Sequence, residues 1–194
     1  MGYTTDFTGE FLLDHPLSLE HARYLARFAG TRRMKRNAAK TSQRTDPMRE
    51  AVGLPAGLEG GYFVGEGGFA GQGDHTNQPP DIVDYNSQPQ GQPSLWCQWV
   101  PATANLDQLR LLDAEIPKEQ LTDENVYDRI MWNGSEKFYD YVEWITYILT
   151  HFLAPWGYAL NGTIEWQGEE TMDKGRIIIE NNQVRVQRAS VSWR

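Results

Sequence analysis

A single cysteine among 194 residues, Cys97, excludes an intramolecular disulfide. No apolar run reaches the roughly 20 residues that a membrane-spanning helix needs, and no charged-then-apolar leader opens the chain. Together these absences set the expectation of a cytoplasmic protein. The four histidines, His15, His21, His75 and His151, follow no H-x-x-x-H or C-x-x-C spacing, so no metal site is expected. Acid is missing from one stretch in particular. Between Arg23 and Arg44 there is no Asp or Glu, while Arg23, Arg27, Arg32, Arg33, Lys35, Arg36, Lys40 and Arg44 all fall there. The whole chain carries 18 Lys and Arg against 26 Asp and Glu, a net charge of −8. An acidic chain does not wrap nucleic acid wholesale, because phosphate neutralisation needs cations on the contact face. A basic segment inside it marks an interaction surface.

What is present is aromatic. Seven Trp, nine Tyr and seven Phe suffice for a packed core and argue against global disorder. At this length the chain is read as one domain, 1–194, with an irregular insertion at about 45–94 and an acidic one at about 102–125. Residues 3–13 alternate, with Tyr3, Thr5, Phe7, Gly9, Phe11 and Leu13 on one side, which predicts a half-buried strand. A helix follows from the cap candidate Ser18, with Leu17, Ala22, Leu25 and Phe28 as its apolar stripe and Gly30 as its stop. Nine glycines between Gly53 and Gly73, then Pro79, Pro80, Pro89 and Pro93, destroy any sustained period. Ordering so many glycines is entropically costly, so this stretch is expected to be loosely held.

Regular structure resumes at Leu95–Val100, a strand closed by Pro101, and again at Val126–Trp132. Ser135 is the predicted cap of the best helix, whose Phe138, Tyr141, Val142, Ile145, Ile148, Leu149 and Phe152 recur at three and four. Ile164 and Trp166 lie in a further strand, and residues 177–186 form a hairpin around Asn181-Asn182. Strand, helix, strand, strand, helix, strand and hairpin give an α+β class of ferredoxin-like, split β-α-β pattern. Its open sheet face would carry Thr4, Asp6, Thr8, Glu10, Gln98, Thr163, Glu165 and Gln167.

Three blocks carry a resemblance. They are the start Met-Gly-Tyr-Thr-Thr-Asp-Phe, the block Gly91-Gln-Pro-Ser-Leu-Trp-Cys-Gln-Trp-Val-Pro101, and the stretch from Lys137-Phe-Tyr-Asp-Tyr-Val-Glu-Trp144 through Leu160-Asn-Gly162 to Trp166-Gln-Gly-Glu169. In these the chain resembles a family of small cytosolic proteins of phages and bacteria. The resemblance carries no activity and therefore no catalytic residue. It implies a phage-type accessory protein, whose partner would be a host protein, including one of a defence system.

The residues leave three functions open. The first is a non-enzymatic effector that modulates a host protein through segment 23–44 and the 45–94 loop. Arg32, Arg33, Lys35 and Arg36 cluster beyond the packed part of the first helix, and arginine forks match carboxylate or phosphate. The second is a binder that sequesters an anionic nucleotide with the same cluster and an exposed Trp96. Trp96 and Trp99 would point to opposite sheet faces. The third is a small hydrolytic enzyme that uses the adjacent acid–imidazole pair Asp74 and His75. Gly65-Glu-Gly-Gly-Phe-Ala70 fits a dinucleotide fingerprint only by its letters, because Gly71, Gly73 and Pro79-Pro80 follow where a helix should open. No cofactor is therefore expected.

Overall fold

The computed structural model describes residues 2–69, 78–104 and 125–190. In chain order the elements are β1 (Thr5–Leu13), α1 (Leu19–Ala29), β2 (Lys35–Arg36), α2 (Ala38–Thr41), α3 (Pro47–Ala51), β3 (Ile82–Asp84), β4 (Trp99–Ala102), β5 (Arg129–Trp132), α4 (Tyr141–Ile148), β6 (Leu160–Gly168), β7 (Lys174–Glu180) and β8 (Gln183–Arg188). A 3-10 turn at Leu58–Gly60 and a π turn at Leu149–Leu153 complete the set. The class is α+β, with one large antiparallel sheet and few helices. Among the described residues no helix is long and apolar enough to cross a membrane.

The chain folds as two compact units. The first, described over residues 2–17, 98–104 and 126–190, is built on a six-stranded sheet of order β4-β5-β1-β6-β7-β8, antiparallel at every pairing. The period-two pattern of β1 does what alternation dictates. Phe7 and Phe11 turn to one face, where Phe7 meets Trp99, Trp132, Phe138 and Tyr141 at centroid distances of 4.9–5.8 Å. Helix α4 covers that face. Its Tyr141 lies 5.7 Å from Trp166 and accepts a 2.8 Å hydrogen bond at its backbone carbonyl from Trp99 Nε1. Trp144, Ile145, Ile148, Leu149 and Phe152 are buried, as their spacing requires.

Three boundaries differ from expectation, the first being that β5 begins at Arg129 rather than Val126. The helix starts at Tyr141 rather than beyond Ser135, because Lys137 and Asp140 hold positive φ of 61° and 54° and break any helix across 136–140. The strand expected at 95–100 is β4, which begins at Trp99 and runs through Pro101. Proline is tolerated there because β4 is a sheet edge.

The second unit is described over residues 18–69, 78–97 and 125. Ser18 caps α1 by accepting from the His21 amide, and Gly30 closes it. Tyr24, Leu25 and Phe28 are buried. Short elements follow: β2 pairs with β3, and Thr31 bridges to Gly68. The glycine-rich segment has little regular structure, yet its described part is well packed, with Phe63 and Val64 buried. Gly67 shows why glycine is needed there. A Cβ at its φ of 62° would fall 2.3 Å from the Arg27 guanidinium carbon, and Arg27 Nε donates to the Val64 carbonyl at 3.2 Å.

Candidate binding surface

The arginine cluster is not an exposed patch. Arg33 and Arg36 are 2% and 3% exposed, and the four favoured cations are spent inside their own unit. Arg33 donates to the carbonyls of Gly61 at 3.0 Å and Phe63 at 2.9 Å and lies 4.2 Å over the Phe28 ring. Arg36 donates to Asp81 at 2.6 Å, and Arg44 reaches the other Asp81 oxygen at 2.9 Å. Arg32 binds the Tyr85 carbonyl, and Lys35 pairs with Glu59 at 2.7 Å.

The physical reason is hydrogen-bond accounting. A glycine- and proline-rich segment whose described part has only the short β2–β3 ladder leaves carbonyls that need donors, and each guanidinium supplies five in a fixed fork. The acid-free stretch therefore finds its partners in residues 59–85 of the same chain. Burial opposes ionisation of Asp81, but the hydrogen bond from Arg36 and the charges of Arg36 and Arg44 outweigh it, so its carboxyl sits below the usual carboxylate range.

Trp96 precedes β4, so it does not share a sheet with Trp99. It is half-buried and meets Phe69 edge-on at 5.8 Å, while Trp99 is buried in the core of the first unit. Asp74 and His75 lie outside the described residues. Two further acid–imidazole pairs, Asp14–His15 and Glu20–His21, are legible from simple adjacency, and the first is tightly held. His15 Nδ1 lies 2.9 Å from Asp14 Oδ1, and its ring stacks on Tyr158 at 4.7 Å. Asp14 also accepts from the Ala159 amide, which, with His15, holds its carboxyl below the usual range. The pair ties the end of β1 to the residue before β6. Among the described residues no cluster of three His, Cys, Asp or Glu is placed to hold a metal ion.

The feature that does present free chemistry is the face of the large sheet opposite α4. There the register lines up Asp6 with Gln167 and Gln167 with Lys174, and likewise Thr8 with Glu165 and Glu165 with Arg176. These side chains line an open groove of about 450 Å³ that continues to Gln187 on β8. Asp6, Glu165 and Lys174 make no side-chain hydrogen bond or ion pair with any described residue. Arg176 stands opposite Glu165 in register but directs Nε to Gln187 Oε1 at 2.7 Å.

Charge is graded across the face. The carboxylates Asp6 and Glu165 occupy β1 and β6, and the cations Lys174 and Arg176 occupy β7, while Arg185 of β8 is ion-paired with Glu180 of β7 on the same face. Asp6, Thr8, Glu10, Thr163, Glu165 and Gln167 share this face as their alternation predicts, whereas Thr4 precedes β1. The cations come from the C-terminal hairpin, whose arms are two further strands of the same sheet rather than an appendage. Gln98 is buried instead, accepting from Trp132 Nε1 at 2.9 Å.

Comparison with family models, with curated proteins and with solved structures finds no match.

Proposed function

We propose that this chain is a non-enzymatic binding protein that engages another protein through the graded polar face of its large sheet. One observation carries the reading. Asp6, Glu165 and Lys174 are exposed on a hydrogen-bonded sheet and have no partner of their own among the described residues. Charges held in fixed register and left unpaired suit complementary recognition, which sets specificity and encounter rate. The resemblance to phage proteins makes a host protein the class of partner, and the protein its accessory effector. The strand order supports the ferredoxin-like reading. Within β4-β5-β1-β6, β1 leads to β4 through a long connection that opens with α1 and also contains β2, α2, α3 and β3, and β5 leads to β6 through α4. In this reading β7 and β8 are an added hairpin.

Sequestration of an anionic nucleotide by Arg32, Arg33, Lys35 and Arg36 is not favoured, since those cations already serve internal carbonyls and carboxylates. The test is affinity capture from host lysate with the parent and with Asp6→Lys combined with Glu165→Lys. The double variant should melt close to the parent, because exposed charges contribute little to stability. It should retain at least about ten-fold less of the protein that the parent captures, a loss of about 1.4 kcal/mol. Capture by the parent should also weaken as salt screens the face. Equal capture by both proteins, or none by the parent, would overturn the reading.

A further inference from the structure

The two edges of the large sheet are built differently. Edge strand β4 is four residues long, contains Pro101 and is buried throughout. Edge strand β8 has six residues, with no proline, glycine or bulge, and its register with β7 runs unbroken from Gly175↔Arg188 to Glu180↔Gln183. Proteins usually blunt such an edge, because its free backbone groups template another strand.

The phase of the ladder identifies which groups are free. The hairpin turns on Asn181 and Asn182, with φ of 46° and 65°. Positive φ at both centres is the two-residue type I′ turn, which makes Glu180 and Gln183 a hydrogen-bonded pair. At the far end Ala189 donates to the Lys174 carbonyl at 2.9 Å, in the same phase. Hydrogen-bonded and non-bonded pairs alternate in an antiparallel ladder. Gln183, Arg185 and Gln187 therefore spend their backbone groups on β7, and Val184, Val186 and Arg188 direct theirs outward. None of those outward groups has a partner among the described residues.

The side chains sort with the same period. Arg185 and Gln187 stand beside Ile178 and Arg176 on the groove face. Val184 and Val186 stand beside Ile179 and Ile177 on the other, and Val186 is 40% exposed.

We propose that β8 accepts an extended acidic segment of the partner protein as a seventh strand of the sheet. This deepens the reading of the chain as a protein-binding module and rests on it. Backbone pairing to Val184, Val186 and Arg188 supplies affinity, and alternate side chains supply specificity. The incoming strand sets acidic residues beside Arg185 on the groove face, where they share its guanidinium with the exposed Glu180, and apolar residues beside Val184 and Val186 on the other. A second copy of this chain fits less well, since its β8 carries Arg185 and Arg188 and no acid and so offers no complementary charge to this edge.

The probe is a labelled octapeptide of alternating Glu and Val, titrated against the full chain by fluorescence anisotropy. Two control peptides replace every Glu by Lys, or carry N-methyl groups on alternate residues so that one edge cannot donate. The Glu/Val peptide should bind, and each control should bind at least about ten-fold more weakly. Arg185→Glu should reverse the preference between the Glu and Lys peptides. Val186→Pro, which removes an outward N–H, should weaken binding like the N-methyl peptide, which tests the same point with the unaltered protein.

Equal binding of the N-methylated and parent peptides, or no binding of the parent peptide, would overturn the proposal. So would concentration-dependent dimerisation abolished by Val186→Pro, since the edge would then be occupied by a second copy. If Asp6→Lys with Glu165→Lys abolishes partner capture while Val186→Pro, still folded, does not, the binding face stands and the seventh strand falls.

Discussion

Asp81→Ala is expected to destabilise the protein by about 3–5 kcal/mol, the usual consequence of removing one member of a buried ion pair. For a chain of this size that is on the order of 10 °C in Tm. The Arg36 and Asp81 side chains are 2% and 1% exposed, so water cannot replace the lost carboxylate. Arg44 and the Thr41 hydroxyl lose the same acceptor. Arg36 also lies 4.6 Å over the Phe63 ring, so its displacement disturbs the packed part of the glycine-rich segment. Arg36→Ala should be comparably severe, because it leaves the carboxylate buried beside one arginine instead of two.

The pH dependence has a definite sign. Asp81 is held below its ordinary value of about 3.9. A depressed folded pKa contributes stability that is fully present above the unfolded value and is lost as pH falls through the folded one. The stability difference between the parent and Asp81→Asn should therefore be constant above about pH 5 and shrink below about pH 4. Thermal melts across that range measure it. An Asp81→Ala melt within about 2 °C of the parent would show that the network does not hold the second unit together.

Ile148→Asp should be the most damaging change in the first unit. Ile148 is 2% exposed on the buried face of α4, among Ile145, Leu149 and Phe152. A carboxylate buried on that apolar face is desolvated and loses the packing of the isoleucine, so a loss of about 3–5 kcal/mol is expected. Two controls locate the cause. Ile148→Val should cost about 0.5–1.5 kcal/mol, the price of one buried methyl group. Thr146→Asp, on the exposed face of the same helix, should stay within about 0.5 kcal/mol of the parent. Equal melts for Ile148→Asp and Thr146→Asp would mean that this face of α4 is not core.

Much of the local architecture was legible because its signals are local. Alternation over 3–13 announced β1, Ser18 and Gly30 bounded α1, and Asn181-Asn182 marked the hairpin. The start of α4 was not, since nothing in the letters of Lys137 and Asp140 discloses positive φ. Nor was the fate of the arginines. A run of cations looks like surface when only neighbours in sequence are considered, yet Arg33 bonds residues 28 and 30 positions away and Arg36 bonds one 45 away.

By itself the sequence determined the α+β class, the periods of the principal strands and helices, and the polar identity of the face that carries Asp6, Thr8, Glu165 and Gln167. Those follow from side-chain period and capping, which act over a few residues. Only the tertiary structure decided that the basic stretch serves the glycine-rich segment and that the hairpin extends the sheet to make a graded face. It alone left β8 as an edge whose outward backbone groups have no partner among the described residues. These depend on which distant backbone groups still need a partner after each strand and loop is in place, and that accounting closes only in three dimensions.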